Sequence, residues 1–166
     1  MALMNEFNSD RVLLQERMIN AFETLKNFDQ VDKNKTGAIG FCFGGKCALD
    51  LARSGEDIKG VVSFHGLYDA PTASTGKQLK GTLKIDSSIL ILHGYDDPMA
   101  TPKSMVELAD ELNSKKAKWQ IHAYGNVGHA FTNPEANQRE SGLFYDQYAD
   151  EHSWNEMKNF FSKLFL

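Results

Sequence analysis

The feature that most limits what this chain can fold into is a glycine-rich turn at residues 40–45, which read Gly-Phe-Cys-Phe-Gly-Gly. A short apolar segment precedes the turn, and helix-forming residues follow it at once. A strand that enters a helix through so tight a turn needs glycines, because the flanking backbones come too close for a Cβ. The residue at the apex is strained and exposed, with its side chain above the sheet. That residue is Cys42.

Two interpretations of Cys42 stay open at this point. The frame from Gly40 to Gly44 has the spacing of the nucleophile elbow of α/β-hydrolases, with a thiol in place of the usual serine. A neighbouring helix N-terminus favours thiolate over thiol, which suits a nucleophile. Cys42 is equally well explained as a small buried hydrophobe in a turn. Cys47 lies one helical turn further on without such a frame, so we expect it in the core.

Length and charge restrict the class of protein. The 166 residues fit one domain, residues 1–166, with 42% hydrophobic residues. A formal net charge of −4 and the lack of a basic stripe argue against nucleic acid as a partner. No apolar stretch is long enough to cross a bilayer, and the N-terminus does not resemble a signal peptide. Two closely spaced cysteines indicate free thiols in a reducing compartment, so we expect a cytoplasmic protein.

The periodicity of apolar residues predicts helices alternating with strands. Helices are expected at residues 10–28, after the glycine turn, from Pro102 to Leu112, and from Trp154 to Leu164. Strands are expected at residues 38–41, 60–65, 88–93 and 119–124. Residues 66–85 read as a long loop that shapes a pocket, and residues 135–150 as irregular. This order predicts an α/β fold with a mostly parallel sheet and helices on both faces.

Three residues suited to nucleophilic catalysis directly follow predicted strands. Ligands bind beyond the carboxyl ends of the strands in such sheets, and Cys42, Asp97 and His129 all lie there. A thiol nucleophile needs a base, and the base needs a carboxylate that fixes its tautomer. The order nucleophile, acid, histidine is that of α/β-hydrolases. Asp96 competes with Asp97 for the acid position, but a turn-capping task suits it better.

The other histidines give weaker signals. His65 and His93 end strands near the predicted site, where they either line it or pack as neutral hydrogen-bonded rings. The spacing of histidines and cysteines does not indicate a zinc site. Aromatic residues near the strand ends suggest a partly apolar pocket, formed by Phe43, Tyr68, Tyr95 and Phe131.

Four segments together resemble the dienelactone hydrolase family of α/β-hydrolases. They read GFCFGG, VVSFHG, ILHGYDDP and GHAFTNP, and the similarity runs from about residue 10 to the C-terminus. The resemblance implies that Cys42 is the nucleophile, Asp97 the acid and His129 the base. It implies that the backbone N–H of Phe43 contributes to the oxyanion hole. It also implies hydrolysis of lactones or esters through an acyl-enzyme, with no metal or organic cofactor.

The chain departs from the family pattern at its N-terminus. The resemblance implies several strands and a helix before the segment with which this chain begins, and those strands supply a second oxyanion N–H and a glutamate near the thiol. We therefore expect an N-terminally truncated form of the fold, with the strand at residues 38–41 exposed at an edge. Such an edge predicts either a fragment of a longer protein or a homodimer. Loss of one oxyanion donor would slow hydrolysis by ~10²–10³.

Two alternatives to an active hydrolase remain. The first is a catalytically silent α/β-hydrolase remnant that acts through binding or dimerisation, which the N-terminal departure favours. The second is a redox-sensing pair of Cys42 and Cys47, which the intervening helix disfavours because it separates the two sulfurs.

Overall fold

The computed structural model describes residues 2–71, 81 and 84–166 of the chain. Of the predicted loop at residues 66–85, residues 72–80, 82 and 83 lie outside the described part. The described residues form five α-helices: α1 Ala2–Ser9, α2 Arg11–Lys26, α3 Phe43–Arg53, α4 Pro102–Ser114 and α5 Gln147–Leu164. The main strands are β1 Gly37–Phe41, β2 Gly60–Phe64, β3 Ser88–Gly94 and β4 Lys118–Tyr124, and two short strands are β5 Asn137–Gln138 and β6 Leu143–Phe144.

The four main strands form one sheet in the order β1-β2-β3-β4, and every neighbouring pair is parallel. Apolar residues alternate between its two faces, as the two-residue period of a strand requires. Val61, Ile89 and Ile91 pack in a cluster with residues of α2, α3 and α4, whereas Val62 and Leu90 pack with residues of α5 on the other face. The predicted α/β fold with helices on both faces is confirmed.

Strand β1 is an edge strand of this sheet, as the sequence predicted. Its inner side pairs with β2, and no described strand pairs with its outer side. Ile39 is 46% exposed and Phe41 is 39% exposed, although Phe41 stacks on Phe64 of β2 with ring centroids 4.6 Å apart. The edge therefore presents unpaired backbone groups beside apolar side chains, a combination that favours pairing with a further strand.

Close contacts explain two of the three glycines in the turn between β1 and α3. A Cβ on Gly40 would lie 2.0 Å from the carbonyl oxygen of Gly44, and one on Gly45 would lie 2.4 Å from Oγ of Ser63. A Cβ on Gly44 would meet nothing within 4 Å. The five-residue frame read from the sequence thus contains one glycine that the packing requires, Gly40, and a second required glycine, Gly45, lies just outside it.

A buried group of charges attaches α3 to α2 and α4. Asp50 of α3 is fully buried and accepts hydrogen bonds from Arg11 of α2 at 2.6 Å and from Arg53 at 3.1 Å. Arg53 also donates to Glu111 of α4 at 2.6 Å. Removing one partner from such a group leaves an uncompensated buried charge, so the three helices are held in one arrangement. Sequence patterning did not reveal this network.

Two parts of the chain differ from the sequence-based expectation. Helix α1 precedes the first predicted helix, and Asp10 separates the two by capping α2 through the N–H of Leu13 at 3.0 Å. Residues 135–150, predicted as irregular, instead form the hairpin of β5 and β6 and the first turn of α5. Among the described residues, no helix combines the length and apolar character needed to span a membrane.

The two glycines at the turn give a matched pair of variants. Gly40→Ala places a methyl group against the backbone of Gly44, so we expect the free energy of unfolding to fall by about 1–3 kcal/mol. Gly44→Ala places its methyl group in open space within a helix, where alanine is favoured by about 1 kcal/mol over glycine, so stability should hold or rise. Urea unfolding followed by circular dichroism measures both. Equal destabilisation by the two substitutions would contradict the packing argument.

Candidate active site

Cys42 lies at the apex of the turn from β1 into α3 in a strained backbone conformation. Its φ is 54° and its ψ is −120°, in a region that residues with a Cβ rarely adopt. Its N–H donates to the carbonyl of Phe64 at 3.0 Å and its carbonyl accepts from Gly45 at 3.0 Å, so the strained backbone is held from both sides. The thiol is partly exposed and sits at the N-terminus of α3, where the helix dipole favours an anion.

His129 and Asp97 form a buried hydrogen-bonded pair. Nδ1 of His129 lies 2.7 Å from Oδ2 of Asp97, and both side chains are almost fully buried. Oδ1 of Asp97 accepts the N–H groups of Met99 at 2.7 Å and Ala100 at 3.2 Å. These bonds hold the carboxylate in place. The carboxylate in turn favours a proton on Nδ1 of the His129 ring, the nitrogen that faces it.

The Cys42 thiol and the His129 ring shift each other's pKa. Hydrogen bonding to His129 is the largest influence on Cys42 and holds the pKa of its thiol below the ordinary value, although burial opposes it. For His129, burial alone would lower the pKa, but the hydrogen bonds and charges of Asp97 and Cys42 outweigh burial and raise it to about 9. Each group therefore stabilises the charged form of the other, the thiolate of Cys42 and the imidazolium of His129.

The alignment of the thiol with the ring is incomplete in this conformation. Nε2 of His129 is buried and has no hydrogen bond of full geometry within the described part of the chain. Its interaction with Cys42 is close enough to shift both pKa values but is not a well-directed hydrogen bond. Such contacts tighten in other enzymes when substrate is bound, so this geometry is compatible with proton transfer.

The hairpin of β5 and β6 holds the loop that carries His129, and the sequence pattern did not predict this hairpin. The N–H of His129 donates to the carbonyl of Gly142 at 2.7 Å, and the N–H of Phe144 donates to the carbonyl of His129 at 3.1 Å. A Cβ on Gly128 would lie 2.2 Å from the carbonyl oxygen of Gly142. Gly128 therefore permits this close contact. The hairpin segments are too short to show a hydrophobic period, which is why patterning missed them.

The two neighbouring aspartates, Asp96 and Asp97, lie in different environments. Asp97 is 2% exposed and binds His129, whereas Asp96 is exposed. The interpretation of Asp96 as the residue that caps the turn is wrong, because Asp97 itself accepts the turn's N–H groups with its second oxygen. One carboxylate therefore serves both the turn and the histidine.

His65 and His93 are buried next to the pair as neutral rings. Nε2 of His65 lies 2.8 Å from Oγ1 of Thr132, and its ring meets that of His129 edge-on at 5.0 Å between centroids. Burial lowers the pKa of His65 to about 4. Nδ1 of His93 lies 2.9 Å from the hydroxyl of Tyr68, and burial also lowers the pKa of His93. His129 is thus flanked by rings that do not compete with it for a proton at neutral pH.

The aromatic residues predicted to line a pocket occupy three different environments. Phe131 is fully buried in the cluster beside α5, where its large apolar ring packs against His65 and Tyr124. Tyr68 is also nearly buried, but it borders a cavity of about 230 Å³ with Met99 and other residues. Tyr95 is about half exposed, on the loop that follows β3.

Phe43 places a backbone donor next to the thiol. It is the first residue of α3, so its N–H has no acceptor within the helix. Hydrogen bonding from this backbone contributes to the lowered pKa of Cys42. The backbone N–H of Phe43 is therefore a fixed hydrogen-bond donor for an anionic oxygen that forms beside the sulfur of Cys42. Among the described residues, no group of three or more side chains has the arrangement of a metal site.

Comparisons with known proteins place this geometry in context. The model of the dienelactone hydrolase family matches residues 1–165. An uncharacterized protein of Caenorhabditis elegans is 36% identical over 154 residues, which cover 92% of this chain and 94% of the relative. A Bradyrhizobium protein named as a probable 2-oxo-3-(5-oxofuran-2-ylidene)propanoate lactonase is 27% identical over 149 residues, and the match covers 88% of this chain but only 57% of that protein.

The solved structures give the same picture of the fold. A dienelactone hydrolase-like promiscuous phosphotriesterase from metagenomic libraries superposes with a TM-score of 0.85 at 36% sequence identity. The superposition covers 98% of this chain and 66% of that one. The chain therefore spans nearly the whole nematode relative, and between half and two thirds of the lactonase and the phosphotriesterase.

The shared pKa shifts of Cys42 and His129 can be measured by thiol alkylation. Cys42 should react with iodoacetamide with a midpoint below the ordinary thiol pKa, because its thiolate is stabilised. In His129→Gln the stabilising ring is lost and burial remains, so the midpoint should rise by about one pH unit or more. Cys47 is an internal control, since burial raises its pKa to about 11 and should keep it unlabelled at neutral pH. An unchanged midpoint in His129→Gln would refute the coupling.

Proposed function

The chain belongs to the dienelactone hydrolase family, and on that premise we propose that it hydrolyses small lactones or carboxylic esters with Cys42 as nucleophile, His129 as base and Asp97 as the acid that orients the base. The observation that carries the proposal is the His129 ring itself. Its Nδ1 is hydrogen-bonded to Asp97 at 2.7 Å. Asp97 and Cys42 raise the pKa of the ring, and the ring lowers the pKa of the Cys42 thiol. A histidine that only packed in the core would not need a buried carboxylate.

The proposed reaction has two halves. The thiolate of Cys42 attacks the carbonyl carbon, a carbon–sulfur bond forms, and the carbon–oxygen bond to the leaving alcohol breaks. The imidazolium of His129 gives its proton to the departing oxygen. A water then attacks the thioester, His129 accepts a proton from it, and the carboxylic acid leaves as Cys42 becomes a thiolate again. The tetrahedral oxyanion of each half is stabilised by the N–H of Phe43.

The pH dependence follows from the direction of the two shifts. Activity needs the thiolate, so it should fall on the acid side only below the ordinary thiol pKa, since that of Cys42 is lowered. It also needs the imidazolium for the leaving group, so it should fall on the alkaline side as His129 loses its proton at about pH 9. The expected profile is a broad bell with its alkaline limb near pH 9.

Several further features of the proposal rest on the relatives and on composition. The substrate class is taken from the named lactonase. The resemblance to the family implies a reaction without an organic or metal cofactor. The net charge of −4 suits a small neutral or weakly charged substrate better than a nucleic acid. Two free cysteines fit a reducing compartment, so we place the protein in the cytoplasm.

The two cysteines provide a matched pair of variants for the nucleophile. Cys42→Ala should lose about 10³-fold or more in kcat/KM on p-nitrophenyl acetate and on a small aryl lactone, because the attacking sulfur is absent. Cys47→Ala should stay within about threefold of the wild type, because Cys47 only packs in the core and its thiol is unreactive. The rates of hydrolysis by the two variants and the wild type are measured spectrophotometrically.

Detection of the covalent intermediate is an independent test of Cys42 as the nucleophile. Intact-mass spectrometry after brief mixing with p-nitrophenyl acetate should find one acetyl group on the wild type and none on Cys42→Ala. Equal hydrolysis by the wild type and Cys42→Ala would remove Cys42 from the mechanism. The wild type could also fail to hydrolyse these esters while Cys42 still alkylates with a lowered midpoint. That result would favour a binding protein that has the site but does not catalyse the reaction.

A further inference from the structure

We propose that the open edge of β1 is the interface between two copies of this chain, which pair antiparallel through Gly37–Phe41 about a two-fold axis at Ile39. This pairing joins the two sheets into one continuous sheet. The proposal rests on the hydrogen-bonding pattern, the exposed apolar side chains and the charges of this edge. It does not depend on the chemistry proposed above.

The backbone of β1 offers the right groups for this register. Even-numbered residues face β2, since the carbonyl of Thr36 accepts from Lys59 at 3.1 Å and the N–H of Cys42 donates to Phe64 at 3.0 Å. The odd-numbered residues Gly37, Ile39 and Phe41 therefore direct their N–H and C=O groups outward. Antiparallel pairing centred on Ile39 sets each of them opposite another odd-numbered residue, and each such pair exchanges two hydrogen bonds.

The side chains of the edge lack the features that normally prevent pairing. Natural edge strands are protected by charged residues, proline or bulges, and β1 has none of these. Ile39 and Phe41 are exposed on the face that carries α5, and Trp154 of α5 is 44% exposed next to Phe64. In the paired sheet these apolar side chains and those of the second copy fill the space between the two α5 helices.

Charge complementarity selects a second copy in antiparallel orientation. Helix α5 runs antiparallel to β1. Phe161 of α5 lies next to Gly37 at the start of the strand, and Trp154 lies near the end of the strand. Glu151, one turn before Trp154, is exposed beyond the end of β1. Lys35 is exposed just before its start. Two-fold pairing brings Glu151 level with the partner subunit's Lys35, and symmetry makes the contact twice.

The same register places the second copy next to the candidate site. Counting outward from Ile39, the residue opposite Cys42 is the partner subunit's Thr36. The segment of the second copy just before its β1 therefore borders the mouth of the turn that carries the thiol. The interface and the catalytic rim are continuous, so the proposed dimer adds a wall to the site.

Sedimentation velocity of the full chain over roughly 1 to 100 µM tests the proposal. We expect the wild type to have twice the 18.6 kDa mass of the chain. Ile39→Lys should give a monomer, because it buries a charge at the two-fold axis. Val106→Lys is the matched control, since Val106 is 57% exposed on α4, away from β1, and this variant should remain a dimer. A monomeric wild type, or a dimeric Ile39→Lys, would overturn the interface.

A charge reversal tests the register without touching the apolar edge. Lys35→Glu and Glu151→Lys should each raise the dissociation constant about tenfold, since each places like charges together twice. The double variant restores opposite charges and should recover the wild-type value. Circular dichroism checks that all variants are folded. If the double variant is as weak as the single ones, the antiparallel register is wrong, and if neither single variant weakens the dimer, the contact does not exist.

Discussion

The parallel alignment of four strands is the constraint on which the rest of this structure depends. Parallel strands end at the same edge of a sheet, so the loops that follow β1, β3 and β4 meet there. Residues that lie far apart in the sequence, Cys42, Asp97 and His129, come together only because of this alignment. The helices on the two faces contribute by covering the strands, and the buried charges around Asp50 hold α2, α3 and α4 on one of those faces.

The candidate site concentrates backbone strain and buried charge in one place. Cys42, His65 and Ala130 all have positive φ, and each belongs to the candidate site or lies beside it. Asp97 and His129 are a buried, hydrogen-bonded pair of ionisable groups, and burying such groups is costly unless their partners are satisfied. The turn after β3 satisfies the carboxylate, and the β5–β6 hairpin fixes the histidine loop. Strain and burial of this kind persist where the surrounding structure holds them and where they serve a function.

The exposed edge and the site belong to one strand. Residues of β1 direct backbone groups both to β2 and outward, and the strand ends at the thiol. Whatever pairs with its outer side therefore affects the surroundings of Cys42. The outer edge of β1 and the candidate site are adjacent in the structure, but separate measurements test the proposals made for them.

The sequence alone determined the features that have a local physical cause. Apolar periodicity predicted the four main strands and four of the five helices of the described residues, and the glycines around Cys42 predicted a tight, strained turn from strand to helix. The order of Cys42, Asp97 and His129 predicted a site at one edge. The sequence did not reveal the β5–β6 hairpin, the burial of Phe131, or which glycines of the turn are indispensable. The tertiary structure alone decided these features, because each depends on contacts between residues distant in the chain that no local period encodes.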